Sequence, residues 1–150
     1  MKKIAQSIAA GSHGRLEIVG NVTKQYYSDL DPDFRLDTTN NDVAKRINSD
    51  AVQQSLIGIV STRKGERPFE PEFGSDLHSS LFENMSDFSA YAVEKAIDEA
   101  INNYEPRVRL KQVIAIPYYD SNTFVVSIEY HIITDLTYIY NLKLRLKDDF

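Results

Sequence analysis

The sequence has no cysteine and no tryptophan. Disulfide scaffolds, thiolate metal sites and cysteine nucleophiles are excluded with the first of these. Glycine and proline are sparse, six and five in 150 residues, and neither an internal repeat nor a low-complexity segment is present. No apolar run reaches the roughly 18 residues that a transmembrane helix needs. Lys2 and Lys3 precede a short apolar stretch that Gln6 and Ser7 interrupt, so the start reads as a mature N-terminus rather than a signal segment. Basic side chains are outnumbered 17 to 22, for a net charge of −5, which disfavours nucleic acid as the main partner. There is no HExxH, GxSxG, P-loop or GxGxxG motif, and His13, His78 and His131 are scattered. No metal, cofactor or membrane is therefore expected.

What is present suits a folded unit. Apolar residues make up 42% of the chain, and a core of this size buries about two-thirds of the unfolded surface without staples. Charge is uneven. Residues 61–106 hold four basic and ten acidic side chains, whereas residues 107–150 hold six and five. An acidic middle and a slightly basic end can complement each other, face different partners or be ordinary solvated surface.

Residues 1–31 carry little periodicity and read as an N-terminal extension, with a short strand through Leu16, Ile18 and Val22 to Tyr27. Asp29 to Phe34 has the Asp and Pro chemistry of a loop. The domain proper is expected over 32–150. A first helix is predicted from Ser49, as N-cap, to Val60, on the helical spacing of Val52, Leu56, Ile59 and Val60. Pro68 and Pro71 make 67–75 a structured loop in which Phe69 and Phe73 are expected to pin one face to the core, with Gly74 supplying a turn. Leu77, Leu81 and Phe82 suggest a helical turn. A second long helix is predicted over Asp87 to Tyr104, its apolar stripe formed by Val93, Ile97, Ala100, Ile101 and Tyr104 and its end set by Pro106. Alternation then predicts three strands, broken by Asp120-Ser121-Asn122. Phe124, Val126, Ile128, Tyr130 and Ile132 share one face of the second, and Leu136, Tyr138, Tyr140, Leu142, Leu144 and Leu146 one face of the third. The fold class is α+β: a small domain with two main helices packed on an antiparallel C-terminal β-meander.

Three groups of polar residues bear on function. Glu66, Glu70, Glu72 and Asp76 cluster on the proline-rich loop; paired carboxylates beside Phe69 and Phe73 would be the minimum for glycoside hydrolysis. Glu105 lies in the last helical turn, where the helix dipole favours cations, so something must compensate it. Arg107, just past Pro106, can pair with it or with a partner. Asp87, Glu94, Asp98 and Glu105 also form an acidic stripe, either solvated or a docking face for a basic partner.

Four stretches in order carry a resemblance: Ser61-Thr62-Arg63-Lys64-Gly65-Glu66-Arg67, Pro71-Glu72-Phe73-Gly74-Ser75-Asp76-Leu77, Leu81-Phe82-Glu83, and Tyr104-Glu105-Pro106-Arg107-Val108. Together they resemble the baseplate-wedge, or sheath-initiator, proteins of contractile phage tails, which have relatives in type VI secretion baseplates. The likeness runs from about Asp31 to Ile133; the first 30 residues fall outside it. It implies a non-enzymatic assembly role in a virion tail baseplate put together in the host cytoplasm. The implied partners are larger wedge proteins, met at their core helical bundle, the tail sheath protein, and the tail tube or hub as a further contact. It makes Glu105, Pro106 and Arg107 candidate wedge anchors. It also makes the last strand, with Leu136, Tyr138, Tyr140, Leu142 and Leu144, a candidate edge for the first sheath ring, by β-augmentation. On this reading, truncating 137–150 should spare the fold. Some family members carry a lysozyme-like label, which leaves a peptidoglycan-cleaving glycosidase as the alternative.

Overall fold

Two stretches of helical spacing and three of alternation dictate the architecture. The computed structural model describes residues 26–81 and 84–147. The strand expected through Leu16, Ile18 and Val22, and the Phe82-Glu83 part of the third motif, lie outside the described residues.

Strands β1 (Ser28–Leu30) and β4 (Lys45–Ile47) pair antiparallel, and β2 (Leu36–Asp37) and β3 (Asp42–Val43) pair between them. The loop expected over Asp29 to Phe34 is therefore partly strand: Asp29 and Leu30 belong to β1, and only the residues after them turn, closed by the Phe34 N–H on the Asp31 carbonyl at 3.0 Å. Asp31 is buried. Its carboxylate takes the Arg46 Nε at 2.9 Å and the Asp33 N–H at 3.0 Å. Burial works to raise its pKa, but these partners outweigh that and hold it below the ordinary carboxylate range.

Helix α1 (Ser49–Ser61) buries Val52, Leu56, Ile59 and Val60 as the spacing predicts. Its N-cap is Asn48, not Ser49. Asn48 has a positive φ (51°), and its side-chain oxygen accepts the Tyr26 N–H at 2.8 Å, tying the incoming chain to the helix start instead of capping the helix. Short helix α2 (Leu77–Leu81) follows the loop. Helix α3 (Asp87–Tyr104) begins with a capping box in which Ser86 and Ser89 exchange backbone–side-chain bonds, and buries Val93, Ile97, Ala100 and Ile101.

The meander consists of β5 (Val108–Tyr118), β6 (Thr123–Ile132) and β7 (Asp135–Lys147), in that spatial order. Asn122, in the left-handed region, closes the β5–β6 turn. One sheet face supplies Phe124, Val126, Ile128, Tyr130, Ile132 and Leu142, which join the apolar stripes of α1 and α3 in a single core. The last strand departs from simple alternation. Tyr130 pairs with Tyr140, but Ile132 pairs with Asp135, so residues 136–139 stand opposite His131 alone. Past that irregularity Leu136 and Tyr138 lie in solvent, at 53% and 60% exposed. Leu142 is core at 4% exposed, and Tyr140 and Leu144 are half-buried against it. Truncation from residue 137 would thus remove part of the core. No helix among the described residues is long and apolar enough to cross a membrane.

Candidate functional site

The Glu105-Pro106-Arg107 corner forms because α3 cannot continue into a proline. The Glu105 N–H makes the last helical bond, to the Ile101 carbonyl at 2.9 Å, and β5 starts three residues later. Glu105 is only 2% exposed. Burial pushes its carboxyl up, but the Arg107 guanidinium and the Ser55 side chain bond to it and hold it below the ordinary range. The pairing is a two-pronged fork: Arg107 Nε donates to Oε1 and Nη2 to Oε2, each at 2.7 Å. The Arg107 backbone N–H adds a third bond to Oε1 at 3.2 Å. On its other side Arg107 Nη1 meets Asp29 Oδ2 at 3.4 Å, and its guanidinium lies 5.4 Å from the centre of the Tyr27 ring. Glu105, first of these partners, raises the already high pKa of Arg107 further. Compensation of Glu105 is therefore internal, with both carboxylate oxygens engaged, and the corner clamps β1 to the α3–β5 junction. Asp29, Tyr27 and Ser55 have no sequence signal, since they lie at least 50 positions away from a pair recognised by local spacing. Pro106 and part of Arg107 remain at the surface.

The loop carboxylates do not assemble a hydrolytic pair. Glu66, Glu70, Glu72 and Asp76 are all exposed. Glu66 accepts the Arg63 N–H at 3.0 Å, and Glu70 faces Arg67 at 3.6 Å. Of the two aromatics expected to pin this loop, only Phe73 does so: it packs on Tyr104 (4.9 Å between ring centres) beneath the Arg67 guanidinium, and the Tyr104 hydroxyl donates to the Glu72 carbonyl. Phe69 is 98% exposed, because the loop bonds within itself and turns that side chain outward. No carboxylate in this loop is enclosed by apolar side chains. Among the described residues no cluster of His, Asp or Glu could hold a metal ion.

The two outer strands present unlike edges. The outer edge of β5 is closed: Glu94 on α3 accepts the Ala115 N–H at 2.8 Å, and Pro117, two residues on and facing the same way, has no N–H to offer. From the Ala115 orientation, alternation through the sheet directs the Asn141, Lys143 and Arg145 backbone groups away from β6. Among the described residues no strand pairs with that edge of β7. The acidic stripe is not one solvated face either, because Glu94 and Glu105 are both engaged internally.

A family profile described as baseplate wedge protein gp25 matches residues 48–136. Over 128 residues the chain is 44% identical to baseplate wedge protein gp25 of Enterobacteria phage T4, covering 85% of this chain and 96% of that one. A Geobacter sulfurreducens protein proposed to be a tail lysozyme has the same fold, with a TM-score of 0.58 and 27% identity over 64% of this chain and 86% of its own. A chain of the anti-feeding prophage baseplate gives a TM-score of 0.56 at 24% identity, covering 79% and 83%. A chain of the type VI secretion system baseplate complex gives 0.53 at 18%, covering 63% and 88%. At those identities the last two likenesses concern the fold alone.

Proposed function

Because the chain belongs to the family of baseplate wedge protein gp25, we propose that it is a structural component of a contractile-tail baseplate wedge that docks on larger wedge proteins and starts sheath assembly. The observation that carries the second part is the inequality of the sheet edges. The β5 edge is closed by Glu94 and Pro117, whereas no strand among the described residues pairs with the outward-directed backbone groups of the β7 edge. A strand from the first sheath ring would add there, taking affinity from main-chain hydrogen bonds and register from alternate side chains. Leu136 and Tyr138, exposed on the bulge, are the side chains a partner would meet; Leu142 serves the fold. At the α3–β5 corner, Glu105 holds Arg107 in place, and Pro106 with the exposed part of Arg107 meets the wedge. The tail tube or hub would be a further neighbour. Assembly would take place in the host cytoplasm and end in the virion tail.

Asn141→Pro tests the edge. It removes one outward N–H and leaves the β6 ladder intact. The expected result is baseplates that still contain the protein but carry no sheath; normal sheaths would refute the edge. The role is non-enzymatic: with the loop acids solvated, purified protein is expected to leave peptidoglycan turbidity unchanged. Clearing that is abolished by Glu66→Gln would favour a glycosidase instead.

A further inference from the structure

The sheet face turned away from the core is divided into two columns. On β5, Ile114, Ile116 and Tyr118 project outward and are exposed, Ile116 at 50%. On β7, two strand spacings away, Lys143 and Arg145 project from the same face. The pairing register aligns Ile114, Ser127 and Lys143 in one row, and Ile116, Val125 and Arg145 in the next. Neither Lys143 nor Arg145 has a carboxylate within ion-pair distance among the described residues, and Glu129, one row further on, is held by Lys111 at 3.1 Å. An apolar column thus runs beside two cations with no anion between them, on a chain whose net charge is −5.

We infer that this outer sheet face is a docking surface for an acidic amphipathic helix of a partner protein. The geometry suits a helix. The columns lie about 10 Å apart, two strand spacings, close to the width of an α-helix with its side chains. A helix laid along the strands places its apolar stripe on Ile114, Ile116 and Val125, and its flank over Lys143 and Arg145. Those two cations are about 7 Å apart along the strand, and carboxylates four residues apart on a helix are separated by about 6 Å. Charge complementarity identifies the occupant: the cations require acids, and the aliphatic column requires an apolar stripe beside them. Nucleic acid fits less well, because Ile114 and Ile116, the column residues in the same rows as the two cations, are aliphatic and offer no stacking face. This surface is separate from the outer edge of β7 and from the Glu105 corner.

The test places the photo-cross-linking residue p-benzoylphenylalanine at Ile116 in the full chain, in assembled baseplates. The expected product joins position 116 to a partner helix carrying an apolar stripe and two carboxylates one turn apart. Lys143→Glu with Arg145→Glu should lower its yield at least tenfold while leaving the melting temperature of the isolated protein unchanged. Should the reversed pair fold poorly, Lys143→Gln with Arg145→Gln should lower the yield at least threefold. Cross-links to a segment without such acids, to nucleic acid, to a second copy or to residues 148–150 of the same chain would overturn the inference. So would baseplates that contain the protein and give no cross-link. Asn141→Pro particles that lack sheath yet keep the Ile116 product separate this face from the edge.

Discussion

Glu94 Oε1 lies 2.8 Å from the Ala115 backbone nitrogen, so a side chain of α3 occupies the hydrogen-bonding position that a fourth strand would take on β5. One contact does two things: it satisfies a half-buried N–H, and among the described residues it leaves only the β7 side of the sheet open. Glu94→Ala should lower stability by about 1–2 kcal/mol, the cost of an orphaned donor, and expose a second edge. Urea denaturation reads the first effect, and sedimentation over a concentration series reads the second as self-association. Glu94→Gln keeps an acceptor and should sediment as the wild type does. A monomeric, fully stable alanine variant would mean that α3 does not guard this edge.

The Glu105–Arg107 fork makes a different prediction, about pH. The Glu105 carboxyl is held below its ordinary value when folded, against the pull of burial, mainly by Arg107. Its stabilisation is thus complete above the unfolded pKa of about 4.3 and is lost as pH falls through the folded value. Wild-type stability measured by urea at descending pH should fall more steeply than that of Glu105→Gln. Asp31 and Asp37 are lowered too, so the difference between the two proteins, rather than either curve alone, isolates Glu105. Arg107→Ala strands a buried carboxylate and should cost about 3–5 kcal/mol near neutrality. Arg107→Lys should recover little of this, since an ammonium cannot form the fork.

Much of this was legible in sequence because the signals were local. Val93, Ile97 and Ile101 lie one helical turn apart, and Phe124 to Ile132 alternate without a break, so α3 and β6 could be read directly. What stayed hidden depended on distant partners. Asn48 displaced Ser49 as N-cap because its side chain holds Tyr26, more than twenty residues upstream. Leu136 and Tyr138 follow the same alternation as Leu142, and nothing local shows that the pairing with β6 is interrupted beside them and leaves them exposed. Phe69 and Phe73 have identical local credentials; Tyr104 and Arg67 select the second. At the corner, the need to compensate Glu105 was legible from the helix dipole, whereas the depth of its burial and the Asp29 contact were not.

Gly74 holds the loop against the end of α1. Its φ is +110°, and a Cβ there would sit 2.3 Å from the Thr62 carbonyl oxygen, the atom that accepts the Ser75 N–H at 2.9 Å. Gly74→Ala should cost at least about 2 kcal/mol and break the Arg63–Ser75 bridge that fixes the loop base. Gly65, also at positive φ, has open space around its Cβ position. Gly65→Asn should therefore cost no more than about 1 kcal/mol, because Asn tolerates the left-handed region. Chemical denaturation of the two variants side by side checks the contrast; equal costs would mean that backbone conformation, not the Thr62 contact, is what matters at 74.

The last strand should separate fold from assembly residue by residue. Leu142 lies in the core at 4% exposed, and Leu142→Ala should cost about 2–5 kcal/mol of folding stability. The Tyr138 ring meets Tyr140 edge-on, 4.7 Å between ring centres, and is 60% exposed. Tyr138→Ala should cost about 1 kcal/mol or less. If sheath adds to the β7 edge, the ranking reverses in assembly: Tyr138→Ala and Leu136→Ala should reduce sheathed particles while the purified protein melts normally. Leu142→Ala should reduce them only in proportion to the protein lost to unfolding. The measurement pairs a melting curve with a count of sheathed and bare baseplates by negative-stain microscopy. Normal sheath counts for Tyr138→Ala and Leu136→Ala would leave the backbone edge as the only contact β7 can offer, and Asn141→Pro would then decide whether it offers even that.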